Sequence, residues 1–98
     1  MSFKHISAEQ TKQLINDGDV VILDIRDPAS FAEGHIDGAK HIEEVDVDAF
    51  ITGEDKAKPL VVCCYHGNSS QSAAQFFAEK GFTNVYSLDG GFGGWPEE

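Results

Sequence analysis

Cations are scarce in this chain, and that scarcity is the first constraint on what it can do. Seven lysines and arginines stand against seventeen aspartates and glutamates, a formal net charge of −10, and Arg26 is the one arginine. Such a chain lacks the basic footprint that nucleic acid or an anionic membrane surface requires, so neither is expected as a partner. Long apolar runs are missing too. The longest, such as Val20–Leu23 and Leu60–Cys64, fall far short of the roughly 20 residues of a membrane-spanning helix. The first ten residues, MSFKHISAEQ, carry no apolar core of a secretory leader, which sets the expectation of a cytoplasmic protein.

Cysteine is confined to Cys63 and Cys64. Adjacent cysteines cannot clamp a loop, and a bridge between them would be strained, so a structural disulfide is not expected. His5, His35, His41 and His66 have no spacing with the cysteines that resembles a zinc pattern. No metal and no cofactor is expected. The chain has 98 residues, 41% of them hydrophobic, with no internal repeat and no linker, which implies one folded domain over residues 1–98.

What is present alternates apolar runs with helical patterns, the mark of an α/β domain with a mainly parallel sheet. A strand is expected near Phe3–Ile6. Ser7 then caps a helix, with Gln10 placed to complete a capping box, and Gly18 ends it. Val20–Ile25 and Leu60–Cys64 are almost wholly apolar and read as central strands buried on both faces. Between them lie a short helix over Ala29–Glu33 after Asp27-Pro28, a brief strand over Ala39–Ile42, and a helical pattern over Val45–Ile51. Ser69 or Ser70 can cap the helix that follows Cys64, whose inward face is expected to hold Ala73, Ala74, Phe76, Phe77 and Ala78. Asn84–Leu88 completes the sheet, and the glycine-rich GGFGGWPEE leaves room for only a short, weak last helix.

The stretch LVVCCYHGNSSQSAAQ, Leu60–Gln75, carries the chemistry. A strand runs into Cys64, then a short loop, then a helix start. This aims backbone N–H groups and the positive end of a helix at one sulfur. A free cysteine has a pKa of about 8.5, and lowering it by about two units takes roughly 2.7 kcal/mol of thiolate stabilisation. Side-chain alternation points Cys63 into the core and Cys64 into the pocket formed by Tyr65, His66, Gly67, Asn68, Ser69 and Ser70. Gly67 and Asn68 tolerate left-handed backbone angles, which lets successive N–H groups converge on an anion. His66 is read equally as a donor to the sulfur or as a rim residue.

Three segments resemble the rhodanese family, specifically its small single-domain thiosulfate sulfurtransferases: LDIRDPASFAEGHIDGAKHI, VVCCYHGNSSQSAAQF and VYSLDGGFGGW, in the family's order. The resemblance implies a single rhodanese-like domain, a five-stranded sheet with helices on both faces. It implies Cys64 as the residue that becomes a persulfide, with Tyr65 to Ser70 as its cradle. A small anionic sulfur donor such as thiosulfate would load Cys64, and cyanide or a thiol or dithiol protein such as a thioredoxin would unload it, in ping-pong order. Asp24 and Arg26 match the family's Asp-x-Arg and are read as a pair bracing the loops. Gly90, Gly91 and Trp95 fix the last turn and cover the core.

Rival readings fare less well on these residues. A phosphatase or arsenate-reductase loop needs Cys-x5-Arg for bidentate contact with a tetrahedral oxyanion, and Ser70 stands at that position. A non-catalytic binding module of the same fold would have lost the loop cysteine. A sulfur carrier fed by a protein persulfide would react poorly with thiosulfate. One departure from some relatives bears on affinity. Gln71 and Ser72 follow the loop where those relatives carry basic residues, and no Lys or Arg lies between Lys58 and Lys80.

Overall fold

The computed structural model of the chain describes residues 2–44 and 46–96. Five strands, β1 (Lys4–Ile6), β2 (Val21–Asp24), β3 (Lys40–His41), β4 (Leu60–Cys63) and β5 (Val85–Leu88), form one sheet in the order β1-β5-β4-β2-β3. Every pairing among the described residues is parallel. Each parallel step needs a crossover, and the helices α1 (Ala8–Asp17), α2 (Pro28–Glu33), α3 (Val47–Gly53) and α4 (Ser69–Glu79) lie between successive strands.

The two apolar runs become the central strands because a parallel sheet covered on both sides buries whole strands. All four residues of β2 and all four of β4 are buried. Alternation then divides the core. Val21, Leu23, Leu60 and Val62 face α3 and α4, where they meet Phe50, Phe77 and Phe82. Ile22, Val61 and Cys63 face the other way, toward Leu14 and Ile15 of α1 and toward Ile36, Phe92 and Trp95. Cys63 is therefore a core residue, with no exposed surface.

Local sequence chemistry sets the helix starts. Ser7 accepts from the Gln10 N–H at 3.0 Å while the Ser7 N–H donates to Gln10 Oε1 at 3.1 Å, a complete capping box. Asp27 accepts from the Ser30 N–H at 3.1 Å, and Pro28 opens α2.

Three expectations are corrected. Phe76 is 42% exposed: the buried residues of α4 are Ser70, Ala74, Phe77 and Ala78, and a helix whose core stripe runs through 70, 74, 77 and 78 turns position 76 outward, where Lys80 sits over its ring. The brief strand is only Lys40–His41, because Ile42–Glu44 winds into a 3-10 turn. The following helix starts at Val47, where Asp46 caps it by accepting from the Ala49 N–H at 3.2 Å. The expected start at Val45 lies outside the described residues. The last helical segment, expected to be short, is a single 3-10 turn, Phe92–Gly94.

Candidate active site

β2 and β4 run side by side with Asp24 opposite Cys63, so the residues just beyond them, Arg26 and Cys64, emerge together at the carboxyl edge of the sheet. That edge is where parallel α/β sheets build their sites. Cys64 is buried, with 5% of its surface exposed. The Gly67 N–H donates to Cys64 Sγ at 3.0 Å and the Ser70 N–H donates to it at 3.3 Å. Ser70 Oγ lies 3.3 Å from the same sulfur, accepting from the thiol or donating to the thiolate.

Two opposing effects set the ionisation of Cys64. Burial pushes the thiol up, since a charge is penalised away from water; the Ser70 hydroxyl, the Ser70 and Gly67 amides and the His66 amide pull it down, and the net direction is downward. Its neighbour behaves oppositely. Burial, with the Asp24 carboxylate next in importance, pushes Cys63 up to about 12. Two thiols one position apart are thus shifted in opposite directions.

The helix start departs from the sequence expectation in an informative way. Ser69 and Ser70 are the first residues of α4 rather than its cap, and Asn68 occupies the N-cap position with no side-chain cap bond. The Ser70 N–H is one of the orphan donors at a helix N-terminus. Here the sulfur of Cys64 satisfies it in place of a capping oxygen. Of the two residues expected to tolerate left-handed angles, Gly67 takes one (φ +95°) and Asn68 does not (φ −94°).

The loop's amides can face the sulfur because its carbonyls are held elsewhere. The Phe92 N–H donates to the Cys64 carbonyl and the Gly93 N–H to the Tyr65 carbonyl, both at 2.8 Å. Gln71 Nε2 donates to the Gly67 carbonyl at 2.9 Å. This close approach demands glycine. A Cβ on Gly91 would stand 2.3 Å from the Cys64 carbonyl oxygen, and one on Gly67 2.9 Å from the Gly90 nitrogen. Gly67, Gly90, Gly91, Phe92 and Gly93 therefore form one clamp. Its role is to hold the loop rather than only to turn the chain and cover the core.

Asp24 and Arg26 form a buried pair. Arg26 Nε and Nη2 donate to the Asp24 carboxylate at 2.8–3.0 Å, and Nη2 also donates to the Gly34 carbonyl at 2.7 Å. Donation to the Asp24 carboxylate raises the Arg26 pKa against the opposing effect of burial. Phe92 lies under the guanidinium at 4.3 Å, so the pair reaches the same clamp residue that holds the Cys64 carbonyl. Tyr65, 51% exposed, and His66 lie on the rim with their rings 4.8 Å apart and tilted at 50°, and Asn68 and Ser69 are also exposed. The His66 contribution to the sulfur comes from its amide and not from its ring.

Beside Tyr65 a small cleft of about 220 Å³ is lined by Arg26, Ser30, Glu33, Gly34 and Phe92. A larger groove of about 760 Å³ lies between α1 and the segment after α2, away from the sulfur. Sequence reasoning missed Ser87, which is wholly buried on β5 with its hydroxyl 2.7 Å from Ser70 Oγ. The available signal was a serine at an inward position of an otherwise apolar strand, since such a hydroxyl needs a buried partner.

A parallel α/β sheet with a cysteine in the loop between a central strand and a helix start fits one class: residues 7–98 match the rhodanese-like domain, and the chain belongs to the rhodanese family. Thiosulfate sulfurtransferase GlpE of Pseudomonas aeruginosa is 56% identical over 94 residues, covering 96% of this chain and 84% of that protein. The protein of the same name from Shewanella oneidensis is 53% identical over 96 residues, covering 98% and 95%. Among solved structures, a Rhodopseudomonas palustris protein of unknown function, described as a possible tyrosine phosphatase, superposes with a TM-score of 0.80 at 29% identity, covering 98% of this chain and 85% of that one. A rhodanese-like domain protein of Staphylococcus aureus gives 0.78 at 22% identity, covering 98% and 94%, which supports the fold alone.

Proposed function

We propose that this protein is a thiosulfate sulfurtransferase in which Cys64 carries one sulfur atom as a persulfide. The observation that carries the reading is the convergence of the Gly67 amide, the Ser70 amide and the Ser70 hydroxyl on Cys64 Sγ, with the ionisation of that thiol favoured. The identity to curated thiosulfate sulfurtransferases over nearly the whole chain supports the same activity.

In the first half-reaction the Cys64 thiolate attacks the outer sulfur of thiosulfate. An S–S bond forms to Cys64, the S–S bond of thiosulfate breaks, and sulfite leaves with the electron pair. In the second, a nucleophilic acceptor attacks the outer sulfur of the persulfide and Cys64 leaves as thiolate. Cyanide serves in the assay and yields thiocyanate; a thiol or dithiol protein such as a thioredoxin serves in the cell, which we take to be the cytoplasm. Among the described residues no helix is long and apolar enough to cross a membrane. The amide cradle suits both steps, because the same donors that stabilise the incoming thiolate stabilise the leaving one. Tyr65 to Ser70 bind the donor anion, and Asp24 with Arg26 braces the loop from outside.

The phosphatase description of the Rhodopseudomonas palustris neighbour does not transfer to this loop. Ser70 stands where a bidentate arginine would be needed, and its hydroxyl is spent on the sulfur and on Ser87. Mass spectrometry after thiosulfate treatment tests the proposal. The expected result is one added sulfur atom at Cys64, removed by cyanide and absent in Cys64→Ser. Sulfur found on Cys63 instead would overturn it.

A further inference from the structure

Ser70 reaches the sulfur with a hydroxyl that carries one proton, and the direction of that proton decides whether the hydroxyl helps or hinders. A thiol can donate to Ser70 Oγ; a thiolate can only accept. Ser70 Oγ is also 2.7 Å from Ser87 Oγ, with both side chains wholly buried. Among the described residues Ser70 Oγ is the one hydrogen-bond partner of the Ser87 hydroxyl.

We propose that Ser87 is a positioning residue for the sulfur-transfer reaction: its hydroxyl donates to Ser70 Oγ and thereby turns the Ser70 proton toward Cys64 Sγ. This rests on the sulfur-transfer reading above and deepens it.

Three hydrogen-bonding groups, Ser87, Ser70 and Cys64, form a row along which the protons can be counted. With Cys64 as a thiol donating to Ser70, the Ser70 proton turns to Ser87 and the buried Ser87 proton is left with no acceptor; if the thiol instead accepts from Ser70, its own proton loses its one acceptor among the described residues and the sulfur accepts only weakly. With Cys64 as a thiolate, Ser87 donates to Ser70, Ser70 donates to the sulfur, and every proton in the row is used. A buried donor without a partner is costly, so the row favours the ionised form. Donors in series also polarise one another, strengthening the last bond. The same polarity suits the persulfide anion and the departing thiolate.

The side chains next to Cys64 in sequence do not compete for this role. Cys63, Tyr65 and His66 place none of their side-chain atoms in a hydrogen bond to the sulfur among the described residues. Ser87 was placed by the fold, not by the loop: it sits on β5, opposite Val62 of β4, which brings it beneath the start of α4.

The test is the pH profile of Cys64 alkylation by iodoacetamide in the full chain, for the wild type, Ser87→Ala, Ser87→Thr, Ser70→Ala and the double alanine variant. Ser87→Ala is expected to move the half-point up by about 0.3–0.5 pH unit, making alkylation below the half-point roughly two- to threefold slower. Ser87→Thr keeps the hydroxyl and is expected to restore the wild-type profile. In the Ser70→Ala background the Ser87 change is expected to add nothing. Cys63 must stay unlabelled throughout, which reports that no variant is acting by unfolding. A Ser87→Ala profile that superimposes on the wild type would overturn the assignment, as would a shift that persists without the Ser70 hydroxyl. Sulfur loading of wild-type Cys64 by thiosulfate is scored separately. Its absence would sink the sulfur-transfer reading while leaving the alkylation comparison intact, whereas normal loading with an unshifted profile would sink the role of Ser87 alone.

Discussion

Replacing Gly91 by alanine should disable the site from outside it. The added Cβ would lie 2.3 Å from the Cys64 carbonyl oxygen and 2.5 Å from that of Tyr65, about 1 Å inside the 3.4 Å at which ordinary contact begins. The backbone there, at φ +57° and ψ −160°, is also a conformation reserved for glycine. Holding alanine in it costs roughly 1–3 kcal/mol, and relieving the clash by overpacking costs about as much again. If the loop yields instead, the hydrogen bonds from Phe92 to Cys64 and from Gly93 to Tyr65 are lost, at about 1 kcal/mol each. A total of roughly 4 kcal/mol is a large part of the 5–15 kcal/mol of a small domain and corresponds to a fall in Tm of roughly 15–30 °C. A loop displaced by about 1 Å should also lose about a hundredfold in kcat/KM among the molecules that stay folded. Thermal unfolding with thiocyanate formation, assayed well below the variant's Tm, reads both effects. Gly94→Ala is the control, because its Cβ would meet nothing within 4 Å. A Gly91→Ala protein as stable and active as Gly94→Ala would refute the clamp.

Asp24→Asn removes one charge of a buried ion pair and leaves the Arg26 guanidinium without a countercharge; urea unfolding should show a loss of about 3–5 kcal/mol, and a loss under about 1 kcal/mol would contradict the bracing role. Cys63 links stability to pH with a definite sign. Its folded pKa of about 12 lies well above the ordinary thiol value, so the folded state resists its ionisation: the contribution is intact below about pH 8.5 and is lost as pH rises from there toward 12. Cys64, lowered in the folded state, acts oppositely, with a contribution present above the ordinary thiol pKa and lost as pH falls through the folded value. Cys63→Ala should therefore gain about 1 kcal/mol relative to the wild type between pH 7 and pH 10 by chemical denaturation, and equal slopes for the two proteins would refute this. With a net charge of −10 and no Lys or Arg between Lys58 and Lys80, the field repels an anionic donor. Turnover at low thiosulfate should rise modestly with added salt, and a rate that falls steadily with ionic strength would refute the repulsion.

The legible parts of this fold were those written into contiguous residues. β2 and β4 could be read because burial on both faces removes polar residues from the strand, and α1 because Ser7 and Gln10 state its cap in four residues. Cys64 stood out because strand, loop and helix start meet around it in sequence as well as in space. What escaped depended on partners far along the chain. The GGFGG segment reads as a weak terminus until its amides are seen to take the carbonyls of Cys64 and Tyr65. Ser87 reads as a strand residue until β5 is set beside β4. The phase of α4 failed at Phe76 for a related reason: an apolar side chain suits an inward position, but the core stripe is fixed by Ser70 and Ala74, which must sit over the strands.

The central claim is that main-chain amides and one hydroxyl hold the Cys64 thiol ionised near neutral pH. The difference in ultraviolet thiolate absorbance between the wild type and Cys64→Ser, followed across pH, measures that ionisation directly. A single step with its midpoint well below the ordinary thiol value of about 8.5 is the predicted result. A midpoint at or above that value would contradict the account.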